Sequence, residues 1–167
     1  FLNNARYSAT VSDNVISDNS HGVFIERVRD DFVFSGNTVS DNSGNGLEYY
    51  SNEQSSSSIT DSITVTDNTL TGNSGTGISI ADQGDADAVI TDNTIMGNEW
   101  SGIYVHNDNN NVQPTIRDNT ITGNSGYGIR TDGKVVPVIA ENRIEDNANG
   151  IQVEYTDVNG NGDFDLT

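Results

Sequence analysis

The sequence predicts an all-β solenoid, and three observations predict it. First, residues 66–80, TDNTLTGNSGTGISI, recur as residues 91–105, TDNTIMGNEWSGIYV, and as residues 117–131, RDNTITGNSGYGIRT. Weaker copies run over residues 12–25, 35–49 and 140–153. Second, spacing inside a copy is nearly fixed. The first Asn of each copy (Asn14, Asn37, Asn68, Asn93, Asn119, Asn142) is followed five residues later by another: Asn19, Asn42, Asn73, Asn98, Asn124, Asn147. A Gly follows three or four residues on, while the steps between copies are 23, 31, 25, 26 and 23 residues. A fixed block with variable length after it is how a rigid coil with insertions on one side behaves. Third, short β-branched runs alternate in register with these anchors, and no stretch sustains a helical period.

Each coil is built in the same order. An inward apolar residue stands three before the first Asn: Val11, Phe34, Val65, Ile90, Ile116, Ile139. Another stands two after it: Ile16, Val39, Leu70, Ile95, Ile121, Ile144. A third follows the Gly: Val23, Leu47, Ile78, Ile103, Ile129, Ile151. Two residues later come Ile25, Tyr49, Ile80, Val105, Thr131 and Val153. About three short strands per coil, joined by turns, describe a parallel β-helix whose like residues stack into aliphatic columns. The Asn columns are read as ladders. Asn tolerates the left-handed conformation of a tight turn, its amide bonds turn backbone, and stacked amides bond each other. Crossovers between parallel strands are right-handed, so the expectation is a right-handed parallel β-helix of about six to seven coils with Asn ladders. Pro114 and Pro137 open two coils at equivalent positions, where no ladder donor is needed. Residues 51–62, SNEQSSSSITDS, read as a polar surface insertion, and residues 106–113 as an Asn-rich loop.

The blocks DN-x(4)-N-x(2,3)-G-[IVL] resemble the right-handed parallel β-helix repeat family over residues 9–154, nearly the whole chain. That scaffold hosts many functions. The domain reading is one β-helix over residues 1–154 and an acidic C-terminal segment over residues 155–167, the start of a further element. The chain opens in what reads as the end of an earlier coil, so a piece of a larger protein is expected.

Composition narrows the function classes. Seven Lys and Arg against 25 Asp and Glu give a formal net charge of -18. Phosphate binding needs clustered basic residues, so nucleic acid is excluded as a partner. The acidity suits a hydrated, high-salt surface or cation sites, and turn-favouring Asp accounts for part of it. There is no cysteine to report a redox compartment. No apolar run is long enough for membrane insertion. The Asn/Ser/Thr surface and the family resemblance imply an extracellular or cell-surface location.

On the strand after the Gly, alternate side chains point outward. Glu48, Tyr50, Tyr104, His106, Arg130 and Asp132 fall on that outward face, with adjacent coils about 4.8 Å apart. Arg can pair a carboxylate, Tyr offers a stacking surface, and His or Tyr can move a proton. Such a face suits an acidic polysaccharide. The β-helix polysaccharide lyases and mannuronan C-5-epimerases resemble this chain in repeat pattern and use such a face. Their Asp-Pro-His after the Gly-aromatic step has its nearest equivalent in residues 102–106, GIYVH, where His106 matches and Asp and Pro are absent. No catalytic residue is assigned. His21 is read as a solvated turn residue.

The tail spells D-x-N-x-N-G-D-x-D over residues 157–165. Asp157, Asn159, Asn161 and Asp165 take positions 1, 3, 5 and 9 of an EF-hand-type or dockerin-like loop. Gly162 stands at the sharp turn, and Asp163 supplies a carbonyl. A structural Ca2+ is expected there. Asp82, Asp85 and Asp87 form a second acidic loop. The leading functional expectation is a rigid structural or adhesive module of a surface or secreted protein, with calcium bound at its tail. Its partners would be an acidic polysaccharide or neighbouring copies and domains of a surface assembly. The alternatives are a carbohydrate-active module of lyase or epimerase type and a virion spike or filament subunit.

Overall fold

The computed structural model describes residues 2–3, 8–26, 28, 31–51, 62–82 and 87–156. Among them every element is a strand, and every strand pairing is parallel. The strands stack into three sheets of seven, six and six members. Each repeat contributes one strand to each sheet, so the chain winds as a parallel β-helix. Six stacked strands make five coil-to-coil steps, a slightly smaller count than the six to seven coils expected. Register follows the repeat without slippage: Ile80 pairs with Tyr49 and Val105, and Ile95 with Leu70 and Ile121.

The inward columns are the core. Phe34, Val65, Ile90 and Ile116 are all fully buried, as are Val39, Leu70, Ile95 and Ile121. Each such aliphatic side chain stabilises by roughly 1.5–3 kcal/mol on burial. Phe32 packs on Phe34 and Tyr49 at centroid distances of 6.4 and 5.7 Å, and the Tyr49 hydroxyl donates to the Val28 carbonyl at 3.2 Å. On every coil but the last, the glycine that leads into the third strand has no room for a side chain. At Gly102 a Cβ would lie 2.4 Å from Ile121 Cγ2 and 2.8 Å from the Gly128 carbonyl oxygen.

Both Asn columns form continuous ladders. Asn68 Nδ2 and its backbone N–H both donate to Asn93 Oδ1. Asn93 does the same to Asn119, and Asn119 to Asn142. The second column repeats this through Asn73, Asn98, Asn124 and Asn147. Every step has its donors on one coil and its acceptor on the next coil along the chain, so the ladders have a direction.

The left-handed conformation belongs to a different residue from the one expected. All twelve ladder Asn are preceded by a residue at positive φ, and none of the Asn has it. Eight of these residues are acidic, among them Asp67, Asp92, Asp118 and Glu141 at φ 56 to 58°, and four are glycines, Gly36, Gly72, Gly97 and Gly123. Asp tolerates that region much as Asn does. The turn therefore divides the work: the acidic residue or Gly bends the chain, and the Asn amide spans the coils.

Residues 106–113 also differ from the expected loop. The strand Ile103–Val112 continues through most of them and pairs with Tyr127–Val135. The Asn-rich part is absorbed as a bulge, where buried Asn107 turns its Oδ1 to the backbone N–H groups of Asn109 and Asn110. Val112 and Val135 are buried beyond it. Gly133, at φ 78°, sits against the Asn107 carbonyl with no space for a Cβ. Most of the 51–62 insertion lies outside the described residues.

Candidate functional site

The outward face of the seven-stranded sheet carries the candidate residues, because each lies one or three steps from a buried inward residue, Leu47, Ile103 or Ile129. Tyr104 pairs with Arg130 and His106 with Asp132 across adjacent coils. Glu48 and Tyr50 lie two coils away, and the coil between them presents Ser79 and Ala81. At about 4.8 Å per coil that leaves roughly 10 Å bridged only by small side chains. The six residues therefore form two groups. Glu48 accepts from Asn45 Nδ2 at 3.0 Å and, with His21, Gly22 and Phe24, lines a shallow hollow on the first two coils.

The other group closes on Asp132. Tyr104 donates to Asp132 Oδ1 at 3.0 Å and Oδ2 at 3.2 Å. Arg130 Nη2 donates to Asp132 Oδ2 at 2.9 Å, and His106 Nδ1 bonds Asp132 Oδ1. On its far side His106 Nε2 meets Asp108 Oδ2 at 3.1 Å. The rings of Tyr104 and His106 stack at 6.1 Å, and the Arg130 guanidinium lies 5.4 Å from the Tyr104 ring centre. Asp132 is the most enclosed of these, with 14% of its side chain exposed.

This geometry redistributes the expected roles. Arg130 is paired to Asp132 within its own strand, and its buried Nε has no partner among the described residues. Tyr104 is flanked by His106 and Arg130, which occupy much of its stacking surface. Burial first, then the charge of Asp132 and its hydrogen bond, push the Tyr104 hydroxyl up to about 12. It keeps its proton near neutrality and is a poor base. Both ring nitrogens of His106 face a carboxylate oxygen, so neither is turned toward an incoming ligand in this arrangement. Asp108 was missed in the sequence. Its signal was the two-residue step from His106 on a strand that reads as a loop.

The calcium-loop residues Asp157, Asn159, Asn161, Asp163 and Asp165 lie outside the described residues, as does Asp85. Asp87 Oδ1 accepts the Gln113 backbone N–H at 2.7 Å. Among the described residues no group of three or more His, Asp or Glu is disposed to hold a metal ion, and no helix is long and apolar enough to cross a membrane.

Comparison with known proteins agrees with the coil geometry. The sequence model of one family, described as right handed beta helix region, matches residues 54–163, about two thirds of the chain. Neither a curated protein nor a solved structure matches it.

Proposed function

Because the chain belongs to the right-handed β-helix family, we propose that it is a rigid structural and adhesive module of a larger surface or secreted protein. The family and fold support a structural or carbohydrate-related module. The single observation that carries the structural reading is the pair of unbroken Asn ladders. They tie each coil to the next through buried amides, on top of parallel strands. A chain that adds one short coil at a time along a fixed axis is a spacer of defined length. The polar cluster supports the same reading, since the Asp132 carboxylate already engages the guanidinium, phenol and imidazole. Stretching single molecules from their two ends tests it. Coil-by-coil rupture at a roughly constant contour step is expected, and extension at low force without such steps would refute the rod.

Calcium at Asp157, Asn159, Asn161, Asp163 and Asp165 belongs to this proposal and is supported by the ligand spacing alone. Calorimetric titration should show binding that an Asp157→Ala/Asp165→Ala variant loses. Identical traces would remove calcium from the reading. An extracellular location is supported by the Asn/Ser/Thr-rich surface.

The carbohydrate-active alternative rests on Tyr104, His106, Arg130 and Asp132 gathered on one outward face. A uronate polymer would have to displace Asp132 from Arg130 before its own carboxylate could pair there. Incubation with uronate polymers, read by absorbance for unsaturated ends, tests it. Product that vanishes in an Arg130→Ala variant would favour the alternative over the spacer.

A further inference from the structure

The molecule contains its own control for one turn. Three successive coils make the same bend between their second and third strands. The third and fifth repeats spell it identically, TGNSG at residues 71–75 and 122–126, while the fourth, between them, reads MGNEW at residues 96–100. The backbone is unchanged. The glycine φ is 64, 65 and 66° at Gly72, Gly97 and Gly123. Glu99 N–H bonds the Asn73 carbonyl at 2.9 Å as Ser125 N–H bonds that of Asn98. Trp100 N–H bonds the Gly75 carbonyl, and Gly126 N–H bonds that of Trp100. Two neighbours make this turn without Met96, Glu99 and Trp100, so the fold does not require those side chains.

Nor does the core use them. Trp100 is 67% exposed and Met96 45%, and Glu99 is exposed. The chain has one tryptophan and places it in solvent. In its column the neighbours on both sides are Gly75 and Gly126, which have no side chain to cover an indole. Met96 stands between Thr71 and Thr122, and Glu99 between Ser74 and Ser125.

We propose that Met96, Glu99 and Trp100 form a binding site for a neutral sugar ring. The flat indole meets the C–H face of a pyranose. The Glu99 carboxylate accepts from sugar hydroxyls, and Thr71, Ser74, Thr122 and Ser125 hold the matching positions on the flanking coils. A uronate is disfavoured by Glu99 and by the net charge of -18. A folded protein partner needs a stable interface of about 1,200 Å² or more. One aromatic side chain buries about 150–250 Å², so this patch is of the size of one or two sugar rings. A rod without the site is still a rod, so this reading and the structural one fail separately.

The test uses the full chain and the triple variant Met96→Thr/Glu99→Ser/Trp100→Gly, which gives the fourth turn the sequence of its neighbours. The probes are cellohexaose, chitohexaose and hexamannuronate. In the wild type, emission from the single tryptophan should shift and saturate with a neutral hexasaccharide and not with the uronate. Calorimetry should show that binding at least tenfold weaker in the triple variant, at an unchanged melting temperature. Equal binding by both proteins, no binding to any probe, or preference for hexamannuronate would overturn the proposal. So would a wild-type dimer that the triple variant dissolves, since the patch would then be a contact between copies.

Discussion

Replacing Asn98 with Ala should cost more than any surface change of the same size. Asn98 Oδ1 accepts two bonds from the coil before, from Asn73 N–H at 3.0 Å and Asn73 Nδ2 at 3.0 Å. Its own Nδ2 donates to the Leu70 carbonyl at 3.2 Å and to Asn124 Oδ1 at 3.0 Å. Asn73 Nδ2 keeps the Val39 carbonyl at 3.2 Å and Asn124 Oδ1 keeps Asn98 N–H at 3.0 Å. The Asn73 backbone N–H loses its acceptor at a fully buried position. An orphaned buried N–H costs about 1–3 kcal/mol, and the remaining net losses bring the total to about 2–4 kcal/mol. For a chain of this size that is a fall in melting temperature of roughly 4–16 °C, at about 2–4 °C per kcal/mol. Ladder direction sharpens the prediction. Asn147 accepts from buried Asn124 N–H at 2.9 Å, whereas Asn19 only donates along its ladder. Asn147→Ala should therefore cost about 1–3 kcal/mol more than Asn19→Ala, though both stand at ladder ends. Thermal and urea melts followed by circular dichroism decide it. An unchanged melt for Asn98→Ala, or equal costs at the two ends, would refute the reasoning.

Three more expectations follow from single residues. Thr131 is fully buried in an apolar column and its hydroxyl has no partner among the described residues, so Thr131→Val should stabilise by about 1–2 kcal/mol; a lower urea midpoint would contradict this. Gly97→Ala meets no atom within 4 Å and should cost only the left-handed backbone term, about 1–2 kcal/mol, while Gly102→Ala, pressed against Ile121 and Gly128, should cost clearly more; the order of the two urea midpoints checks it. Tyr104 should titrate near 12 instead of the ordinary 10.0. The folded state holds that proton more tightly, so its share of stability is complete below pH 10 and is lost as pH rises to 12. Ultraviolet titration should show this late phenol, moved down by Asp132→Asn because the carboxylate charge is removed.

The fold was legible because the Asn-to-Asn interval is invariant within every copy, and only a stacked coil demands that. The identity of the left-handed residue was not legible. Asn and Asp both tolerate positive φ, and the pair stands side by side in most copies. Glu141 takes the same conformation, which no propensity argument would single out. Residues 106–113 misled because Asn content signals a turn, while pairing with the Tyr127–Val135 strand and burial of Val112 override it. The division of the outward face was readable in principle, since Ser79 and Ala81 fall between the two groups. The Arg130–Asp132 bond was less so, because a pair two residues apart on one strand can point together or toward a ligand. Only coordinates separate the two.

The bend before each Asn has a consequence for how the rod behaves in salt. Eight of twelve bends hold carboxylates, so eight of the chain's 25 acidic residues stand in two rows along the edges of the solenoid. In one row Asp67, Asp92, Asp118 and Glu141 follow on consecutive coils, about 4.8 Å apart. The Debye length is about 10 Å at 0.1 M salt and about 3 Å at 1 M. In dilute buffer each carboxylate therefore feels neighbours two coils away, and lengthening the rod by a coil adds electrostatic work. In molar salt the screening distance falls below the coil spacing, and each coil becomes electrically independent of the next. The same rows set parallel rods apart sideways at low salt, so ionic strength governs both how firmly the coils stack and how closely the rods can lie.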